Sequence, residues 1–157
     1  MVPQASVFQH KLDFATGEII EALRFARSES IRSGDVFGVT VNEATDRITV
    51  FKAKIAPLPV SPDYIVYHPV RKQLWDVRLA ANPASSGVDV ESTGGPFEYI
   101  GLAPQPTVLF NPRGRPFGVD ITTGTRYRLD SQTKIKLNYQ QSNKNISLDP
   151  INGRVTS

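Results

Sequence analysis

The chain has 157 residues, 39% hydrophobic and 21% charged, enough for one domain with a buried core and unlike the composition of a disordered chain. It has no cysteine, which excludes disulfides and thiolate metal sites, and no apolar run long enough to cross a membrane as a helix. The formal charge of +3 is too small to indicate nucleic acid by itself, but it is unevenly spread: residues 111–157 hold eight Lys/Arg against three Asp/Glu, and residues 1–110 hold ten against twelve.

An amphipathic helix is predicted from about residue 5 to Arg32. Phe8, Leu12, Ala15, Ile19, Leu23 and Ala26 recur at steps of three or four, which places them on one helix face. Gly34 follows as a C-cap glycine, and Arg24, Arg27 and Arg32 suit the negative end of the helix dipole. Gly17, in mid-helix, marks a close packing contact or a bend. Val7, Phe14, Ile20 and Phe25 are apolar but lie off the stripe. They are read either as a wide core face or as a contact surface, with Val7, Phe8 and Leu12 as the candidate subunit interface.

After Gly34 the period changes to two. Val36–Val41 and Arg47–Lys52 flank Asn42–Asp46 and predict a hairpin. Pro57, Pro59 and Pro62 predict a loop or edge crossing. Tyr64–Tyr67 and Gln73–Leu79 predict a second hairpin, and residues 80–96, small and polar, a long mobile loop. Short strands are predicted at Glu98–Leu102, Thr107–Phe110, Phe117–Ile121, Arg126–Leu129, Lys134–Tyr139 and Ile146–Leu148, with Arg154–Thr156 pairing back. The fold class is α+β: one long N-terminal helix (1–34) packed as a single folding unit on an antiparallel β-sheet or β-sandwich body (35–157).

No catalytic constellation stands out, which points away from an enzyme. His10 and His68 read as solvated or satisfied histidines, no metal or cofactor is expected, and Trp75 with Tyr64, Tyr67 and Phe51 reads as core packing before any stacking platform. The basic C-terminal third is the one candidate ligand surface. Arg126 and Arg128, like Lys134 and Lys136, are two apart and share a strand face. With Arg113, Arg115, Lys144 and Arg154 they suit a phosphate backbone, against the plainer reading of a solvated polar face.

Three segments carry a resemblance to a known family. Ala26-Arg27-Ser28-Glu29-Ser30-Ile31-Arg32 resembles the helix end of the GspH/FimT group of type IV pilin-like proteins, the minor pseudopilins of type II secretion and minor pilins. Val108–Pro116 is similar to that group's late strand and glycine turn, and Ile146–Leu148 with Gly153-Arg154-Val155 to its closing hairpin. The resemblance implies a structural subunit of a secretion pseudopilus or pilus tip, with other pilins as partners and secreted cargo as a further one. It also implies a body in the bacterial periplasm, anchored to the inner membrane by an apolar helix upstream of Val2-Pro3. The alternative it raises is a DNA-binding minor pilin of an uptake machine. Such proteins carry a Gly-Arg-x-Arg motif, of which Gly153-Arg154-Val155-Thr156 keeps one arginine, so DNA is not the favoured partner. Residues 80–96 and the Arg113–Arg115 turn are the candidate presenting surface.

Overall fold

The computed structural model describes residues 4–91 and 94–157, with side chains described from Gln9 onward. Helix α1 (Gln4–Ser33) spans 30 residues. Its predicted stripe is the core seam: Leu12, Ala15, Ile19, Leu23 and Ala26 are fully buried, joined by Ala22. Val7 and Phe8 lie outside the described side chains. Leu12 does not fit the expected subunit contact, because α1's own sheets enclose it completely. Gly34 ends the helix with φ +78 and donates its N–H to the Ser30 carbonyl at 3.0 Å. A left-handed conformation there is what glycine adopts without strain.

Strands β1 (Phe37–Asn42) and β2 (Arg47–Lys54) form the predicted hairpin. Then follow β3 (Ser61–Asp63), β4 (Asp76–Arg78), β5 (Asp89–Glu91), β6 (Phe97–Tyr99), β7 (Leu102–Gln105), β8 (Thr107–Phe110), β9 (Pro116–Val119), β10 (Arg126–Arg128), β11 (Lys134–Tyr139), β12 (Ser142–Leu148) and β13 (Val155–Thr156). The larger sheet runs β10-β9-β8-β1-β2-β3, and β4 shares the edge of β2. A second sheet runs β13-β12-β11-β5, and β6 pairs with β7. Helix α1 packs against both large sheets. The main core lies between helix and sheets, where Val39, Val50, Val108, Phe110, Ile135, Leu137 and Ile146 meet its stripe. A smaller cluster of Phe51, Ala53, Leu109 and Phe117 covers part of the larger sheet's other face. Among the described residues no helix is long and apolar enough to cross a membrane.

Other expectations change as well. Tyr64–Leu79 is not a regular hairpin: it keeps one bridge, Tyr67 to Leu74, and Asp76–Arg78 pairs with β2 instead. The segment is held from the side. Trp75 is buried against Phe25 and His68, with ring centroids at 4.8 and 4.4 Å. Arg71 pairs with the buried Glu18 of α1. Phe51 is buried as well, but in the smaller cluster on the larger sheet's other face. Tyr64 and Tyr67 are 57% and 59% exposed, Tyr64 meeting the Phe51 ring edge-on at 6.1 Å.

Residues 80–96, expected as a mobile loop, include built structure where they are described. A 3₁₀ turn at Leu79–Ala81 leads to the buried Ser85, whose hydroxyl donates to the Leu79 carbonyl at 2.7 Å. Val88 and Val90 are buried, and β5 pairs with β11. Small polar residues here close turns on themselves, as where the Asn82 side chain accepts the Ala84 N–H, so their composition resembles that of a free loop.

Ser30 shows why the helix end reads as a motif. It is fully buried, and its hydroxyl donates to the Phe110 carbonyl and accepts from the Phe37 N–H, both at 3.0 Å. One side chain thus ties α1 to β8 and to the start of β1. Ser30→Ala removes both hydrogen bonds from a fully buried position, and is expected to cost roughly 1–3 kcal/mol in urea unfolding. A loss below about 0.5 kcal/mol, within the scatter of surface substitutions, would mean the link is not formed.

Candidate functional site

The three segments that carry the resemblance meet in one seam. Asn111–Arg115 and Asp149–Arg154 are turns of the same design, each an Asn or Asp followed by proline and closed by Gly-Arg. The Asn111 side chain accepts the N–H of Arg113 and Arg115 at 2.9 and 3.0 Å, and that of Asp149 accepts those of Ile151 and Asn152 at 2.7 and 3.1 Å. These are Asx turns, in which a short polar side chain replaces a backbone acceptor. Gly153 of the second turn lies against Gly114 of the first: a Cβ on Gly153 would fall 2.2 Å from the Gly114 carbonyl oxygen. Arg27 of α1 closes the seam, donating to the Asn152 carbonyl at 2.8 Å, and Arg24 donates to that of Val155 at 3.3 Å.

The two backbone N–H groups hold the Asp149 carboxyl below the usual carboxylate range, and Arg154 adds to the effect. A depressed carboxyl contributes stability that is complete above its unfolded pKa, about 3.9, and lost as pH falls through the lower folded value. Acid titration is therefore expected to loosen this turn only below the ordinary carboxylate range, with the amide signals of Ile151 and Asn152 shifting there. Asp149→Asn, which keeps the acceptor oxygen, should remove that pH dependence. Movement of the same signals near pH 6 would contradict this assignment.

The basic third does not form one patch. Arg126 and Arg128 share a face of β10, as predicted, and stand across from Val119 and Phe117 on the larger sheet. Lys134 and Lys136 also share a face, but on β11 of the other sheet, where Lys136 pairs in register with Glu91. Lys144 stands across from the buried Leu137 and so points toward α1, where it pairs with Asp13 at 2.7 Å. That contact holds the Asp13 carboxyl below the usual range. Arg154 lies in the second Asx turn, its N–H bonded to the Asn152 side chain at 2.8 Å. What the structure does gather is an arginine end. Arg115, Arg126 and Arg128 line one concavity with Asn111, Pro116, Phe117 and Pro150, next to the turns that carry Arg113 and Arg154.

His68 is buried and structural: its Nδ1 accepts the N–H of Val70 and Arg71, both at 3.2 Å, which leaves the proton on Nε2, 3.3 Å from Glu21. His10 is exposed. Among the described residues no group of acidic and histidine side chains has a metal-holding arrangement. Sequence reasoning missed the partnership of the two Asx turns, although their shared Asx-Pro…Gly-Arg wording was a usable signal.

A long helix laid along antiparallel sheets, its end sewn to a late strand and to the closing turn, defines a type IV pilin-like protein. Two structures of the minor pseudopilin EpsH from the type 2 secretion system of Vibrio cholerae share this fold. Each matches with a TM-score of 0.54, at 17% and 15% identity, over 93% of this chain and 94% and 92% of theirs. The family model for the type II transport protein GspH matches residues 15–153, and the chain belongs to that family. No curated protein matches it in sequence.

Proposed function

We propose that this chain is a minor pseudopilin, a structural subunit without catalytic activity that joins a type II secretion pseudopilus through α1. Its body would lie in the periplasm, held at the inner membrane by an apolar helix upstream of Val2. Other pseudopilins are its partners in this reading, and secreted cargo a further one. Family membership supports it, and the two-sided character of α1 carries it. One side of the helix is sealed in the core; the other presents an open recess lined by Gly17, Ile20, Glu21, Arg24, Phe25 and Ser28. Among the described residues, apart from the helix's own neighbouring backbone, nothing lies within 4 Å of a Cβ built on Gly17, so no packing contact there calls for that glycine. A neighbouring helix seated in the recess would.

Gly17→Ala is therefore expected to stabilise the isolated chain by up to about 1 kcal/mol while lowering secretion in cells that depend on it. The chain has no cysteine of its own, so Ser28→Cys, on the exposed side of α1, is a clean probe for disulfide capture of a second pseudopilin bearing a matching cysteine. Capture through Ser28→Cys, absent for a cysteine at exposed Thr156, is the expected result. Gly17→Ala with full secretion, together with no capture at Ser28, would overturn the proposal.

A further inference from the structure

The arginine end holds cations that no carboxylate among the described residues neutralises. Arg126 lies over the Phe117 ring, 4.7 Å from its centroid, and the Arg115 side chain donates to the Ile151 carbonyl at 3.4 Å. None of Arg115, Arg126 and Arg128 forms an ion pair with a carboxylate among the described residues, whereas Lys52, Lys54, Arg71 and Lys144 do. Arg126 and Arg128 stand about 7 Å apart on one strand face. Converging guanidinium groups repel each other unless an anion lies between them, and each offers a planar fork suited to a carboxylate.

The same sheet face continues into an apolar groove of about 320 Å³, lined by Phe51, Ala53, Val60, Tyr64, Leu109 and Val119. The two features adjoin. Phe117 floors the arginine pocket and packs with Phe51, Ala53 and Leu109, and Val119 stands across from Arg126. From β10 to β2 is four strand spacings, about 19 Å, the reach of roughly six extended residues.

We propose that this face binds an extended segment of a partner protein, with acidic side chains held by Arg115, Arg126 and Arg128 and apolar side chains seated in the groove beside them. This goes beyond assembly through α1, which uses a different surface. Nucleic acid fits the face less well. A phosphate backbone needs a continuing cationic track, and here the lysines lie on another sheet or face the helix. The Phe117 ring is already covered by Arg126, which leaves no free face for a base.

The test is fluorescence anisotropy with a labelled peptide in which two Glu precede Leu-Gly-Phe. It is run beside a peptide with Gln for both Glu, one with Ser for Leu and Phe, and a labelled DNA duplex. The acidic, apolar peptide should bind saturably, and either altered peptide about tenfold more weakly. Arg126→Gln/Arg128→Gln, at exposed positions, should weaken it at least about tenfold, with an unchanged melting temperature as the folding control. Lys134→Gln/Lys136→Gln on the other sheet should leave it within about twofold. Binding that ignores the arginine pair or the Glu-to-Gln change would overturn the proposal. So would a duplex that binds through the same arginines where the peptide does not, which would assign the face to nucleic acid.

Discussion

Trp75→Ala is expected to cost about 3–5 kcal/mol, the range for removing a fully buried large aromatic side chain. For a chain of this size that is a fall in Tm of roughly 6–20 °C, read by circular dichroism because the variant loses the only tryptophan. The ring is almost completely buried between Phe25 of α1 and His68. The Trp75 backbone also spans two segments, donating to the Val66 carbonyl at 2.9 Å and accepting from Val50 of β2 at 3.2 Å. Loss of the ring removes the packing by which Tyr64–Leu74 is held to the helix, leaving its backbone bonds and the Arg71–Glu18 pair. Trp75→Phe should recover most of the loss, since the indole N–H has no partner among the described residues and only part of the volume is removed. If alanine and phenylalanine behave alike, the ring is not the anchor described here.

Gly153→Ala is expected to cost at least about 2 kcal/mol, from backbone strain and overpacking together. Its φ of +73 disfavours any side chain, and the new Cβ would press on the Gly114 carbonyl oxygen. That neighbour is backbone, so relief requires the two Asx turns to part. Gly34→Ala separates the two causes: its φ is +78, but beyond its chain neighbours nothing among the described residues lies within 4 Å of the added Cβ, so it reports strain without overpacking. The excess cost at Gly153 measures how tightly the turns are pressed together. Equal costs for the two variants would show that they are not. Parting the turns also shifts Pro150 and Arg115 in the wall of the arginine pocket, so Gly153→Ala should weaken the acidic peptide as well.

The helix stripe, the first hairpin and the closing strands were legible because each follows from a local period. Leu12 through Ala26 needed only the step of 3.6, Lys134–Tyr139 only the alternation of two, and Thr107–Phe110 only a short apolar run. Thr107–Phe110 and Lys134–Tyr139 occur as β8 and β11 with the predicted bounds. Where the chain turns within a strand-like run the period misleads. Glu98–Leu102 reads as one strand, yet it folds at Ile100 and Gly101, with Gly101 at φ +89, into the separate strands β6 and β7.

The surface was less legible, for a reason particular to sheets. Alternation says which residues share a face, as it did for Arg126 with Arg128 and for Lys134 with Lys136. It does not say whether two such faces belong to the same sheet, nor which face the helix covers. These pairs lie on different sheets, and Lys144 points inward to Asp13, so only the assembled molecule separates an arginine end from a lysine face. Leu12 is the same case on a helix, since apolar spacing does not tell a core contact from a subunit contact. The sequence by itself determined the helix, the first hairpin, several of the late strands and the pilin-like character of the helix end. Tertiary structure alone decided that Ser30, Gly114 and Gly153, which are up to 123 positions apart in the chain, lie along one seam. Contacts at that separation are set by how the sheets stack, which local hydrogen bonding and periodicity leave open.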